Sequence, residues 1–294
     1  MRTDTYANGL LVIVTVFAAL GWLFSVHVLS ALSPLLFLTI RFLSAACIVG
    51  AANPRQVLTL PRRWQWRALV TGALLGVQTA VWVMAITQAE GIGVGAFLMS
   101  LSFILIPLTG LLFGYRAKRL TWLALLIALP GLGLLAFRHG FAVQQSDILF
   151  LVSAILYALY FNINGKLCAT IPPVAQTCYQ LFAASVVFTA GFLLFETGYS
   201  QSLQSVWLWL LLSILVATCL RFFLMLKAQT MAPEGQGAVV MTLEPVWVAL
   251  LGGAFLGEQF DRASVAGMIL IFLALVVNAF GSYRQRRKLL QAND

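Results

Sequence analysis

Charged residues are scarce in this sequence. Asp, Glu, Lys and Arg make up 9% of its 294 residues, whereas 61% are hydrophobic. A soluble domain of ordinary composition has about 25% charged residues, so this chain lacks the polar surface that a water-facing globule needs. The composition excludes a soluble globular domain and predicts an all-α polytopic membrane protein in contact with the lipid bilayer.

Residues that commonly bind metals or form disulfides are also few. The four cysteines, Cys47, Cys168, Cys178 and Cys219, lie in or beside apolar segments without CxxC spacing, and the two histidines do not cluster with them. Zinc sites and redox motifs depend on such spacings. We therefore expect no metal site and no cofactor, and we interpret the cysteines as small core residues.

Acidic residues are half as numerous as basic ones, which gives a net charge of +9. The basic residues form short clusters between apolar runs rather than one long face. A nucleic-acid-binding protein usually concentrates its basic residues in a patch or stripe. We therefore expect no nucleic-acid partner and attribute the basic clusters to membrane topology.

Apolar stretches of about 20 residues, the length that spans a bilayer, recur ten times along the chain. The predicted spans cover residues 7–29, 33–52, 66–88, 91–114, 120–138, 147–167, 173–195, 205–228, 233–257 and 263–283. The connectors are short, and none is long enough to form a soluble domain. The pattern predicts ten transmembrane helices.

The basic residues are distributed unevenly between the two sides of these spans. With a cytoplasmic N-terminus, Arg138 and Arg262 fall outside and Arg41 and Arg221 fall within spans. The inner side receives the other 14, namely Arg2, Arg55, Arg62, Arg63, Arg67, Arg116, Lys118, Arg119, Lys166, Lys227, Arg284, Arg286, Arg287 and Lys288. The positive-inside rule thus predicts a multi-pass protein of a bacterial-type cytoplasmic (inner) membrane with both termini in the cytoplasm.

The second half of the sequence resembles the first. A shift of 142 residues aligns eight identical residues within a short window. They are Gly93, Gly95, Ala96, Met99, Leu101, Leu108, Gly110 and Phe113 against Gly235, Gly237, Ala238, Met241, Leu243, Leu250, Gly252 and Phe255. We expect two five-helix repeats, residues 1–142 and 143–294, inverted because five is odd. Such repeats predict a midplane site exposed to each side in turn.

Three features are similar to the EamA-type transporters of the drug/metabolite transporter superfamily. They are the LSPLLFLTIRFL segment at 32–43, the Leu-Glu-Pro-Val motif at 243–246 followed by Gly257-Glu258, and the layout of five plus five spans. The resemblance implies an inner-membrane carrier of amino acids, other metabolites, amines or toxic amphiphiles, in a family with many exporters. It also implies a central cavity lined mainly by spans 1 to 4 and 6 to 9.

Two departures from this family pattern stand out. Many members have a Gly-Glu pair at the end of the fourth span, where this chain has Gly114-Tyr115. Span 8 has Arg221 where such helices usually carry an apolar or aromatic residue. Only Glu258 is therefore expected to have the role of the Gly-Glu carboxylate, and Arg221 is the best local indication of the substrate's chemistry.

Arg221 and Glu244 lie at comparable depths in consecutive spans, Arg221 roughly 10 Å from the inner end of its span. Two interpretations are open. Arg221 either binds a substrate carboxylate or phosphate through its planar guanidinium or forms a permanent structural pair with Glu244. Glu244 is likewise either a proton-coupling residue or a group that neutralises Arg221 and stabilises the backbone loosened by Pro245.

Other polar and aromatic residues are candidates for the same site. Arg41 either crosslinks helices near the midplane or supplies a cavity cation. Gln78, Trp82, Tyr157, Tyr160 and Tyr179 predict an aromatic pocket with hydrogen-bonding groups, against the alternatives of packing and interfacial anchoring. For Glu258, a packing role at the outer end of span 9 competes with a gating role.

Glycines recur at the start of the fourth and ninth spans. Gly93 and Gly95 in the first half correspond to Gly235 and Gly237 in the second. No predicted strand precedes them and no GK[ST] motif follows, so a phosphate-binding loop is excluded. We interpret both pairs as tight-packing or gating segments at opposite faces of the membrane.

The sequence favours a secondary transporter that exports a small substrate such as an amino acid or related amphiphile. Import or export of amines, quaternary cations or toxic compounds is the alternative. An intramembrane enzyme is less favoured because HExxH, GxSxG and paired intramembrane aspartates are absent, as is a lipid scramblase. Because the sequence contains no ATP-binding domain, we expect uphill transport to rely on protons or another coupling ion, on substrate exchange, or on a separate protein. Ten spans permit function as a monomer or homodimer.

Overall fold

The computed structural model of the chain describes residues 2–114, 119–136, 144–168, 170–196, 203–231 and 240–291. These residues contain ten long or apolar helices and no strand. The helices are α1 (Arg2–Leu29), α2 (Pro34–Ala52), α3 (Arg62–Gln88), α4 (Ile92–Phe113), α5 (Arg119–Ala136), α6 (Gln145–Cys168), α7 (Pro173–Phe195), α8 (207–231), α9 (Glu244–Phe255) and α10 (Arg262–Gln291). The predicted fold class, an all-α polytopic membrane protein, is confirmed.

Most of the described helices are long and apolar enough to cross a membrane. Eight of the described helices contain segments of 18 residues or more with mean hydropathy between 1.7 and 2.4, which is sufficient to cross a membrane. The other two, α5 and α9, are apolar but shorter. Pro34 and Pro173 open α2 and α7, where the missing N–H of proline costs no helical hydrogen bond.

Two of the helices are interrupted at related positions. In α4 the helix pauses at Leu101, between Ile92–Ser100 and Ser102–Thr109. In the ninth span the chain turns at Thr242 and Leu243 before α9 begins at Glu244. The sequence predicts one continuous helix over 233–257, with Pro245 near its midpoint. The structure corrects this prediction, because the helix restarts and Pro245 lies in its first turn, where it is tolerated.

A second proline lies inside a helix and is compensated by another helix. Pro107 in α4 has no N–H to donate to the carbonyl of Phe103, four residues earlier. Asn278 of α10 donates from Nδ2 to that carbonyl at 2.9 Å, and its Oδ1 accepts a hydrogen bond from Thr121 of α5 at 3.1 Å. Asn278 thereby connects α4, α5 and α10 and supplies the donor that proline removes.

Glycines set the closest helix crossings. A Cβ at Gly72 of α3 would lie 2.6 Å from the backbone of Gln180 on α7. At the α5–α10 crossing, a Cβ on Gly131 would lie 2.9 Å from the carbonyl of Gly267. Both crossings require small residues, as is common where helices associate within a membrane.

Candidate functional site

The structure brings Arg221 and Glu244 together. Arg221 opens the last segment of α8 and Glu244 opens α9, and their Nη2 and Oε2 atoms are 3.7 Å apart. This separation is that of an ion pair and is longer than the 2.7–2.9 Å typical of a charge-assisted hydrogen bond. The side chains are 35% and 21% exposed. Among the described residues the side chain of Arg221 has no other hydrogen-bond or ion-pair partner, so the pair is loose and accessible.

Arg41 lies next to this pair but is enclosed. Its side chain is 8% exposed. Nε donates to Thr218 Oγ1 of α8 at 2.9 Å, and Nη1 donates to Ser25 Oγ of α1 at 3.3 Å. Arg41 thus crosslinks α2 to α1 and α8, and it is close enough to Arg221 for the two positive charges to repel.

Two tyrosines of α6, Tyr157 and Tyr160, belong to the surroundings of the ion pair. The charges of Arg221 and Glu244 both act on the Tyr157 hydroxyl. The rings of Tyr157 and Tyr160 are 5.9 Å apart, and Tyr160 donates to Gln180 Oε1 on α7 at 3.3 Å. Tyr157 is therefore within electrostatic range of the ion pair, and its neighbour Tyr160 bonds to a polar residue of α7.

Three other predicted pocket residues make their hydrogen bonds or ring contacts with residues other than Arg221 and Glu244. Gln78 is 4% exposed and donates to Ser153 Oγ at 2.7 Å within the α3–α6 contact. Trp82 packs edge to face on Trp22 of α1, with ring centroids 5.0 Å apart. Tyr179 donates to the carbonyl of Val57 at 3.2 Å. The structure therefore does not bring Gln78, Trp82 and Tyr179 into hydrogen-bonding contact with the Arg221–Glu244 pair.

Glu258 caps a helix of the other half of the chain. Its Oε1 accepts a hydrogen bond from the N–H of Ile92, and its Oε2 accepts one from the N–H of Gly93 at 3.0 Å. A carboxylate in this position satisfies free N–H groups at the start of α4 and complements the helix dipole. The glycines make room for it, since a Cβ on Gly91 would lie 2.6 Å from the carboxyl carbon.

Of the two predicted glycine pairs, the structure describes the first, Gly93 and Gly95. A Cβ on Gly95 would lie 2.4 Å from the ring of Phe150, so this position permits close packing of α4 on α6. Gly93 has the same role beside Glu258 and Phe260. The corresponding Gly235 and Gly237 lie outside the described residues.

The sequence did not predict two features of the structure, a helix cap formed by Glu196 and a π-helical turn before Arg221. Glu196, at the end of α7, accepts a hydrogen bond at 3.0 Å from the N–H of Leu35 and so caps α2. Thr218 lies in a π-helical turn, Leu215–Leu220, directly before Arg221. A carboxylate at a span end gives only a weak signal for such a cap, and no sequence pattern indicated the π-turn.

No group of three or more potential metal ligands occurs in the part of the chain that the structure describes. The arrangement that remains is a loose ion pair with a second arginine and two tyrosines beside it. Side chains of these types can bind a polar or charged group.

Comparisons with known proteins bear on the family and the fold. Residues 144–280 match the model of the EamA-like transporter family. A solved crystal structure covers 97% of this chain and 99% of its own at a TM-score of 0.65 and 18% identity, which shows a shared fold.

Three relatives match most of the chain. The uncharacterized transporter YwfM of Bacillus subtilis is 26% identical over 230 residues, or 76% of this chain and 77% of that protein. An uncharacterized transporter of Archaeoglobus fulgidus is 24% identical over 72% of this chain and 76% of its own. The chloramphenicol-sensitive protein RarD of Pseudomonas aeruginosa is 26% identical over 74% and 72%. These matches indicate a membrane transporter, and residues 144–280 are similar to the EamA-like transporter family.

Proposed function

We propose that the protein is a secondary transporter that exports a small carboxylate-bearing metabolite, such as an amino acid or a related amphiphile, by alternating access. The observation that carries this proposal is the loose Arg221–Glu244 pair, 3.7 Å apart and partly exposed. A substrate carboxylate can replace Glu244 on the guanidinium fork and form two short hydrogen bonds in place of one long contact.

Local charge supports an anionic group on the substrate. Arg221 and Glu244 neutralise each other, and Arg41 beside them adds one uncompensated positive charge among these three residues. A bound substrate with a net charge of −1 would bring their sum to zero, which lowers the cost of keeping two arginines away from water. An α-amino acid would in addition place its ammonium group near Glu244.

The proposed transport cycle uses two inverted halves. The break of α4 at Leu101 and the break before α9 at Leu243 are 142 residues apart, the same shift that aligns the two sequences. Interrupted helices at matching positions are typical of transporters whose repeats enclose a midplane site. We therefore propose that the halves 1–142 and 143–294 move relative to each other around Arg221 and Glu244.

The proposed orientation places both termini in the cytoplasm of a bacterial-type inner membrane, on the basis of the basic residues of the connectors. In this orientation Glu258 and Glu196 lie on the outer side, where each caps a helix of the first half. Glu244 is the proposed coupling residue. A Glu244→Gln variant that transports with an unchanged pH dependence would exclude proton coupling through this residue.

A second candidate substrate class is amines or quaternary cations. The observation that favours it is the position of Tyr157 within electrostatic range of Glu244, because an aromatic ring beside a carboxylate is a common cation site. In this case Glu244 would bind the substrate and Arg221 would be displaced.

A thermal-stability screen of the purified protein distinguishes the two classes. We expect carboxylate-bearing solutes to raise the melting temperature of the wild type and of Glu244→Gln but not of Arg221→Met. Quaternary cations without a carboxyl group serve as the matched comparison. Stabilisation by cations alone, retained in Arg221→Met and lost in Glu244→Gln, would overturn the carboxylate proposal in favour of the second class.

A further inference from the structure

The helix that carries Arg221 changes its winding just before this residue. In α8 an α-helical segment, Trp207–Ile214, is followed by the π-turn Leu215–Leu220 and then by an α-helix from Arg221. The N–H of Arg221 bonds to the carbonyl of Val216, five residues earlier. Each π-type hydrogen bond encloses one residue more than an α-helical one.

This extra residue determines where Arg221 points. At 3.6 residues per turn, one additional residue rotates everything after it by about 100° about the helix axis. If α8 continued as an α-helix, Arg221 would therefore leave the side of the helix on which it meets Glu244. The geometry of the ion pair therefore requires the π-turn.

Thr218 holds the π-turn from within. Its hydroxyl donates to the carbonyl of Ser213, five residues earlier, at 2.9 Å. The same hydroxyl accepts a hydrogen bond from Nε of Arg41 at 2.9 Å. Thr218 thus connects the wide turn to an arginine that Ser25 of α1 also holds.

Neighbouring packing is consistent with a fixed turn. A Cβ on Gly21 of α1 would lie 3.0 Å from Cβ of Ala217 and 3.5 Å from Nη2 of Arg41, so α1 approaches the turn closely. Arg41 is enclosed, and its charge repels that of Arg221. Arg41 therefore disfavours orientations of Arg221 away from Glu244 and toward itself.

We infer that Thr218 and Arg41 are positioning residues, which hold the π-turn of α8 and thereby direct Arg221 toward Glu244. Neither residue needs to contact the substrate. The inference rests on the proposed function only in treating Arg221 as the substrate-binding group. Its geometric part is independent of any substrate.

The test measures the coupling between Arg221 and Glu244 without a substrate. Melting temperatures are compared for Arg221→Met, Glu244→Gln and the double variant, first with the wild-type residue at position 218 and then with Thr218→Val. With the wild-type threonine we expect the double variant to lose less than the sum of the two single losses. With Thr218→Val we expect the two losses to become additive, because Arg221 no longer faces Glu244.

Two controls separate positioning from general destabilisation. Thr218→Ser keeps the hydroxyl and should restore the coupling. Thr189→Val removes a threonine hydroxyl whose one hydrogen bond within the described residues goes to the carbonyl of Ser185 on its own helix α7, and the coupling should remain. If Thr218→Val does not give a folded protein, Arg41→Lys removes the Nε donor while keeping the charge and should also abolish the coupling.

Undiminished coupling in Thr218→Val, or in Arg41→Lys where that variant replaces it, would overturn the inference. Equal loss of coupling in Thr189→Val would do the same, because the effect would then not depend on the π-turn. Failure of the proposed function has a different signature: carboxylates would not stabilise the protein, whereas the coupling results would be unaffected.

Discussion

Replacement of Glu258 should destabilise the protein, because this residue caps a helix of the other half of the chain. Its carboxylate accepts hydrogen bonds from the N–H groups of Ile92 and Gly93 at the start of α4. A hydrogen bond to a charged group contributes about 1.5–3 kcal/mol, and loss of a helix cap costs about 0.5–2 kcal/mol. Because water can replace part of the cap in the variant, we expect Glu258→Ala to cost about 1.5–3 kcal/mol.

Glu258→Gln should cost roughly half as much as Glu258→Ala, since it keeps one oxygen acceptor but loses the charge that complements the helix dipole. For a chain of this size each kcal/mol corresponds to about 2–4 °C in melting temperature. The assay is thermal unfolding of the detergent-purified protein followed by size-exclusion chromatography. Gln259→Ala, an exposed neighbour in the same connector, is the matched control and should change stability by less than about 0.5 kcal/mol. Equal melting temperatures for Glu258→Ala and Gln259→Ala would refute the reasoning.

Two further predictions use matched pairs of substitutions. Gly252→Ala should lower the melting temperature, because its Cβ would lie 2.6 Å from the capping carboxyl group, whereas Gly253→Ala meets nothing closer than 3.7 Å and should be nearly neutral. Asn278→Leu removes the donor to the carbonyl of Phe103 and should cost about 1–3 kcal/mol. The cost should be smaller in a Pro107→Ala background, because alanine restores the N–H that bonds to the same carbonyl. Equal melting temperatures for the two glycine variants would contradict the first prediction, and equal costs in both backgrounds would contradict the second.

The helices could be predicted from the sequence because hydrophobic length is a local property. The neighbourhood of Arg221 and Glu244 could also be anticipated, since two ionisable residues at similar depth in consecutive spans have a strong reason to approach each other. The restart of α9 at Glu244 was missed because proline is compatible both with a bend and with the first turn of a new helix.

The contacts that decide where a side chain points could not be predicted from local sequence, because they join residues far apart in the chain. Thr218 of the π-turn accepts a hydrogen bond from Arg41, and the two residues are 177 positions apart in the sequence. No local pattern encodes such a contact. Gln78 is a second example. Its amide is suited to a polar pocket, but in the structure it donates a hydrogen bond to Ser153 on a neighbouring helix. Caps formed between halves of the chain, as by Glu196 on α2, likewise depend on tertiary structure.

Solute counterflow in proteoliposomes tests the central claim most directly. Vesicles containing wild-type protein are loaded with an unlabelled mixture of amino acids and related carboxylates, and entry of each labelled solute is measured. We predict exchange of at least one carboxylate-bearing solute, with its apparent affinity reduced about 10- to 100-fold in Arg221→Lys because the bidentate contact is lost. Exchange of carboxylates by Arg221→Met at the wild-type affinity, or exchange of only cations without a carboxyl group, would contradict the account.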